Sequence, residues 1–258
     1  MSCMQGNKLV SVIMPAFNAE LTVARALKSV LDQTYTNFEL FIIDDCSNDH
    51  TVDVIDTFSD PRVSLIKNIE NMGAPKSRNI AIEMAQGRFI CFLDADDEWL
   101  PRKLELQVRL LESSNAALSA HGYKLISTSG KSTVCMPPKE VSYEQLLRYN
   151  VISNCATMID MSVISKKIYF KDLRSRQDWA MSLEITKQFG PAVCVQEELL
   201  NVYLQKQSIG SNKMKAVRDQ WKLYFDVENI SFLLSLKLLI IWAVLGLLKY
   251  SSLSRDNK

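Results

Sequence analysis

One stretch constrains this chain more than any other: Gly87-Arg88-Phe89-Ile90-Cys91-Phe92-Leu93-Asp94-Ala95-Asp96-Asp97-Glu98-Trp99. Its unbroken apolar run, 89–93, suits a strand buried on both faces of a parallel sheet. The run ends in Asp94, Asp96 and Asp97, three carboxylates within four residues. Carboxylates so close repel one another and call for a cation or a basic partner. In an open α/β sheet, ligands bind beyond the carboxyl ends of the strands. Hard oxygen ligands at such a point suit Mg2+ or Mn2+, usually with a phosphate alongside. The competing reading is an acidic N-cap on a helix starting near Trp99-Leu100-Pro101.

A chain of 258 residues, 47% hydrophobic and 23% charged, can bury a large core as one α/β domain with a small appendage. A net charge of +1 gives no basis for a nucleic-acid partner, so any attraction to an anionic surface has to be local. The six cysteines (Cys3, Cys46, Cys91, Cys135, Cys155, Cys194) show no C-x-x-C spacing and read as reduced thiols of a cytosolic protein. The polar residues 1–8 do not form a secretory signal. With only His50 and His121, histidine-centred catalysis is disfavoured.

Strand and helix alternate up to about residue 112. Expected strands are 8–14, 38–43, 63–66 and 89–93, with helices over 21–31, 51–58 and 74–85 between them. The loop Pro15-Ala16-Phe17-Asn18-Ala19-Glu20 after the first strand lacks glycine, which argues against a Rossmann or P-loop phosphate cradle. Asp44 and Asp45 close the second strand. They can accept from a nucleobase or ribose, or simply form a solvated turn. Arg78 can supply counter-charge to a diphosphate or to the acid cluster, or lie on a solvated helix face.

Beyond 112 the alternation breaks down. A helix over 102–111 leads to a strand over 116–126, then a proline-containing loop, 134–141, that could cover a site. A helix over 143–149, a short strand 155–159, a helix entered through Asp178, and two late strands, 193–195 and 199–204, complete the core. A nucleotide-type half followed by a more mixed acceptor half is the expectation.

Taken together, these residues resemble glycosyltransferase family 2, of the GT-A fold. Val10-Ser11-Val12-Ile13-Met14-Pro15-Ala16-Phe17-Asn18-Ala19-Glu20 is similar to the family's V-S-V-I-I-P-x-Y-N-x-E, with Phe17 for Tyr. Ile43-Asp44-Asp45-Cys46-Ser47-Asn48-Asp49-His50-Thr51 resembles V-D-D-G-S-x-D-x-T, with Cys46 for Gly. Asn71 to Asn79 resembles N-x-G-x-x-x-x-R-N, and Asp94-Ala95-Asp96-Asp97 is of the D-x-D type. Arg176-Gln177-Asp178-Trp179 resembles the later E-D motif, with Gln177 for Glu.

The resemblance implies a mostly parallel, Rossmann-like sheet flanked by helices. It implies that Pro15, Phe17, Glu20 and Asp45 hold uracil and ribose, and that Arg78 and Asp94 lie along the nucleotide. Asp96 would place Mn2+ or Mg2+ on the diphosphate, and Asp178 would be the catalytic base. The implied reaction is inverting transfer of a hexose from a UDP-sugar to a lipid-diphosphate-linked HexNAc, as in bacterial O-antigen, capsule or teichuronic acid synthesis. The stretch 203–213, with Gln220-Trp221-Lys222, resembles that subgroup. A sugar nucleotidyltransferase would share the sheet and acids but needs a glycine-rich first loop. A non-catalytic sugar- or membrane-binding module would not need the metal acids.

By this reading residues 1–112 form the nucleotide-sugar half, 113–212 the acceptor half, and 213–258 a basic and hydrophobic helical tail. Residues 231–250 are very apolar, yet Lys237 interrupts them, and the uninterrupted run 238–248 is too short to span a bilayer. Lys237 and Lys249 could snorkel while Trp242 and the leucines enter the interface. Lys213, Lys215, Arg218 and Lys222 add a basic patch for anionic lipid. The alternative is a helix packed on the catalytic domain. The expected location is peripheral, on the cytoplasmic face of the bacterial inner membrane, with a cut after Asn229 sparing transfer.

Overall fold

The computed structural model describes residues 8–164, 166–173, 175–204 and 213–255, with only the helical course given for residue 213 and residues 247–255. The first half alternates as β1 (Val10–Ala16), α1 (Val23–Leu31), β2 (Phe38–Asp44), α2 (Thr51–Asp56), β3 (Val63–Lys67), α3 (Ala74–Met84) and β4 (Phe89–Phe92). A two-residue strand β5 (Glu98–Trp99) precedes α4 (Lys103–Ser114). The second half holds β6 (Leu118–Ile126), β7 (Ser132–Cys135), β8 (Glu140–Val141), α5 (Tyr143–Arg148), a 3-10 turn at Asn154–Ala156, β9 (Met158–Asp160), α6 (Gln177–Phe189) and β10 (Ala192–Tyr203). The tail is α7 (Lys213–Lys222), a π-helical turn at Leu223–Val227, and α8 (Phe232–Arg255).

All ten strands of the described residues share one sheet, in the order β3-β2-β1-β4-β9-β6-β10-β5, with β7 on β6 and β8 on β10. The strands β3, β2, β1 and β4 pair in parallel, as do β6 and β10, while β9 and β5 run against their neighbours. The two-residue period of the strands sorts their side chains into two cores. Val10, Val12, Met14, Leu40, Ile42 and Cys91 pack with Val23, Leu27 and Val30 of α1 and Leu104 of α4. Ile13, Phe41, Ile43, Ile90 and Phe92 pack with Ala81 and Ile82 of α3 and with Trp179, Leu183 and Ile185 of α6. Helices therefore cover both faces, which is why the central strands read as continuous apolar runs.

Several expectations are corrected. The acid cluster caps no helix: Trp99 lies in β5, its indole N–H donating to the Cys155 carbonyl at 2.8 Å, and α4 starts four residues later. The two late strands are one, β10, with register shifts around Glu198, where Gln196-Glu197-Glu198 interrupts the apolar pattern. The segment expected as a loop over 134–141 is irregular only across residues 136–139, its ends belonging to β7 and β8. The strand expected from Cys155 begins at Met158, after the 3-10 turn.

The tail packs on the domain along one face of α8. Ser235 and Leu238 are buried, and Trp242 packs against the core. Leu233, Leu236, Ile240 and Val244 are exposed on the opposite side. Trp242, expected at a lipid interface, is on the docked side. No helix among the described residues is long and apolar enough to cross a membrane. Residues 205–212, most of the stretch resembling the lipid-carrier subgroup, lie outside the described residues, as do Cys3 and the side chains of Lys213 and Lys249.

Candidate active site

The carboxyl ends of β1, β2 and β4 open into a cleft of ≈ 950 Å³. Its walls bring together Pro15, Phe17 and Glu20 from the β1–α1 loop, Asp45 after β2, Arg78 on α3, and Asp94 and Asp96 after β4. Gln177, the first residue of α6, reaches the same cleft, and so does Thr128 from the turn between β6 and β7. Asp178 is not on the wall itself. Its carboxyl lies near enough to feel the charges of Arg78 and Asp94.

Backbone N–H groups fix the loops after β1 and β2. The Glu20 carboxylate accepts the His50 N–H at 2.9 Å, and Asp49 accepts the Glu20 N–H at 3.1 Å, so the loops after β1 and β2 are stitched to each other. Cys46 sits between them with φ +65°, in the left-handed region. A side chain there costs about 1–2 kcal/mol, which explains why the family pattern has glycine at this point.

Asp45 is buried and accepts from the N–H groups of Met72 (2.9 Å) and Gly73 (2.7 Å) and from the Asn68 amide (2.8 Å). Burial pushes its carboxyl up, but these donors outweigh burial and leave it below the usual range. Gly73, at φ +85°, turns the chain into α3, and Pro75 takes its first turn. Asp45 thus anchors the entry to the helix that carries Arg78.

Arg78 is buried beside Phe170 and ion-paired with the half-exposed Asp94. Burial opposes its charge, yet Asp94 raises its pKa on balance. Its Nε finds no hydrogen-bond partner among the described residues. Asp97 points away from the cleft. Burial, then Asp94 and Asp96, push its carboxyl up to about 8. Ligand atoms of Asp94, Asp97 and Cys155 lie within 4.8 Å of one another. Burial also drives the Cys155 thiol well above its ordinary value, and a thiol is a soft partner poorly matched to a hard cation, so Cys155 backs the acid loop. Asp94 and Asp96, both on the cleft wall, are the oxygen donors suited to a divalent ion.

Sequence reasoning missed the residues that hold this acid loop. Arg25 of α1 donates to the Asp96 carbonyl at 2.5 Å and stacks 3.7 Å over the Tyr203 ring. The Tyr203 hydroxyl donates to Glu98 at 2.8 Å, and its N–H to Asp97 at 3.3 Å. No local pattern marks either residue, because the contact joins chain positions far apart.

On the far wall, α6 starts from Arg176 in the left-handed region, φ +68°, with the Arg176 carbonyl accepting the Ala180 N–H at 2.8 Å. A non-glycine residue there costs about 1–2 kcal/mol and must be held by its surroundings. Burial raises the Asp178 pKa, Arg78 opposes the rise and Asp94 adds to it. The Gln177 Oε1 has no hydrogen-bond partner among the described residues. The arrangement can hold a phosphorylated ligand near Arg78 and the acids, with a carboxylate of raised basicity opposite.

A family model described as Glycosyl transferase family 2 matches residues 11–168. TuaG of Bacillus subtilis (strain 168), named for teichuronic acid biosynthesis, is 36% identical over 87% of this chain and 90% of its own length. WfgD of Escherichia coli, named as a UDP-Glc:alpha-D-GlcNAc-diphosphoundecaprenol beta-1,3-glucosyltransferase, is 34% identical over 97% of this chain and 98% of its own. The crystal structure of S. aureus TarS 1–349 in complex with UDP-GlcNAc superposes with a TM-score of 0.70 at 18% identity, covering 91% of this chain and 71% of that one. That likeness gives the GT-A fold.

Proposed function

The chain belongs to glycosyltransferase family 2, and from that premise we propose that it moves a hexose, of glucose or galactose type, from a UDP-sugar to a lipid-diphosphate-linked HexNAc. The product would be a β-linked unit of a bacterial O-antigen or capsule polysaccharide. The observation that carries the proposal is the meeting of Asp94, Asp96 and Arg78 with the start of α6 around one cleft. WfgD, similar along nearly the whole chain, is named for this kind of donor and acceptor.

In this reading Pro15, Phe17, Glu20 and Asp45 frame the uracil and ribose, and Arg78 and Asp94 lie along the nucleotide. Asp96, with Asp94, would hold Mn2+ or Mg2+, which when bound offsets charge on the departing diphosphate. The acceptor hydroxyl oxygen bonds to the anomeric carbon as the carbon–oxygen bond to the diphosphate breaks. Its proton passes to Asp178, and UDP leaves. One displacement inverts the anomeric centre, so an α-linked donor yields a β-glycoside. The raised pKa of Asp178 makes it a stronger base than an ordinary aspartate, and the acid limb of turnover should lie correspondingly higher in pH.

The tail fits peripheral attachment to the cytoplasmic face of the inner membrane. On α8 the exposed Leu233, Leu236, Ile240 and Val244 make an apolar stripe. On α7, Lys215, Arg218 and Lys222 are exposed, with Met214 and Phe225 beside them. Such a surface suits the plane of an anionic interface.

Purified protein should release UDP and extend a short-chain GlcNAc-diphosphate lipid with UDP-glucose or UDP-galactose, and EDTA should stop it. Absence of product with every UDP-hexose in the presence of Mn2+ would sink the proposal. Flotation with phosphatidylglycerol vesicles tests attachment, and protein remaining wholly unbound at low salt would remove it.

A further inference from the structure

The tail touches the proposed base helix at its most strained point. Arg176, left-handed at φ +68°, places its guanidinium 5.8 Å from the centre of the Trp179 ring and 5.6 Å from that of Trp242. Trp179 is buried and fixed, its indole N–H donating to the Leu146 carbonyl at 2.9 Å. Trp242 comes from α8, nine residues after the exposed Leu233 and so about 180° around the helix from it. Other ties hold the tail at the same place. Ser175 donates to Asp219 of α7 at 2.7 Å, and the Tyr224 hydroxyl donates to the Leu147 carbonyl at 2.6 Å. The buried Glu228 accepts from Tyr143 at 2.7 Å and from Lys187 at 3.1 Å.

We propose that Trp242 is a positioning residue for transfer: it closes an aromatic clamp on Arg176 that keeps the residue before Gln177 and Asp178 left-handed and so sets Gln177 on the cleft wall and the Asp178 carboxyl just behind it, near Arg78 and Asp94. The proposal rests on the reading of Asp178 as base. It follows from position. Arg176 supplies the first carbonyl of α6, so its backbone angles set where the next two side chains project. A cation between two indoles is held by both ring faces, and without Trp242 the strained conformation loses one of its two clamps. The two faces of α8 then have separate duties, the outer stripe toward lipid and the inner one toward the base. The tail is in that case part of the catalytic apparatus, not a removable anchor.

The test uses full-length protein, a water-soluble short-chain acceptor and no membrane. W242A should lower kcat about tenfold or more, since small misplacements of reacting groups are costly. Its affinity for UDP by calorimetry should stay within about twofold of wild type, since the donor side is untouched. W242F, which keeps a ring face, should recover most of the rate. R176G supplies the decisive arm, because glycine adopts the left-handed conformation without a clamp. In an R176G background, W242A should cost little further. Wild-type kcat in W242A overturns the clamp. So does a loss that persists undiminished in the R176G background, or one accompanied by equal loss of UDP affinity and not rescued by W242F. D178N measured in parallel separates the two readings. If D178N keeps full turnover the base assignment fails by itself, whereas an inactive D178N beside a normal W242A removes only the clamp.

Discussion

The two walls of the cleft are built in different ways. On the wall proposed for the nucleotide, side-chain oxygens grip backbone N–H groups within and between short motifs: Glu20 on His50, Asp49 on Glu20, Asp45 on Met72 and Gly73. On the wall of the proposed base, aromatic packing does the holding. Trp179 and Trp242 flank Arg176, and the partners come from α5 and from the tail. Hydrogen bonds to backbone fix a geometry that the motif itself specifies. Packing fixes one that depends on distant segments being folded first. The first wall should therefore tolerate damage to the tail, and the second should not.

The largest expected effect tests whether the first wall does more than bind. Asp96→Ala should lower transfer by about 10²–10³-fold or more, on the scale of losing one preorganised electrostatic group. Its thermal unfolding should remain close to wild type. Full activity in this variant, or in EDTA, would break the assignment of a cation to that wall.

Asp178→Asn keeps the shape and removes the basicity. Turnover should fall by about 10²-fold with UDP affinity almost unchanged. Collapse of UDP binding would mean that the two walls are not separate and that Asp178 belongs to the donor side.

Asp45→Ala sharpens the comparison from the other direction. It strands the buried N–H groups of Met72 and Gly73 and the Asn68 amide, at about 1–3 kcal/mol for each unpaired buried group. Denaturant unfolding should show a loss of that order, together with weaker UDP binding. Unchanged stability with weakened binding would make Asp45 a ligand contact and not the anchor of α3.

The last test concerns the packed half. His121 is fully buried on β6, and burial, then the Lys103 charge, hold its pKa down to about 3 against an ordinary 6.5. The folded state keeps it neutral where the unfolded chain would take up a proton. Stability from this group is therefore intact above about pH 6.5 and is lost as pH falls towards 3, by up to about 1.4 kcal/mol per pH unit. Urea unfolding of wild type and His121→Gln across that window should differ in slope, the variant being flatter. Parallel curves would show that His121 reaches water in the native state.

Much of the first wall was legible in the sequence. The apolar run ending in Asp94 and Asp96, and the motif residues Pro15, Phe17, Glu20, Asp45 and Arg78, reach the same cleft because each follows a strand end or opens the next helix. Parallel βα units place those points along one edge of the sheet. The glycine pattern was informative too: Cys46 replaces glycine at a left-handed position, and the backbone keeps the turn. Less legible were Arg25 and Tyr203, whose side chains meet only after β10 returns to the edge near β5.

What the sequence determined by itself was the alternating half, its buried strands and the acids at their ends. Those depend on periodicity and on neighbours within a few residues. Only the tertiary structure decided that Asp97 faces a thiol rather than the cleft, that β10 is one bulged strand, and that Trp242 turns inward on Arg176. Each of these is set by packing between segments far apart in the chain. A helix as apolar as α8 offers no sequence signal for which of its faces will meet the protein.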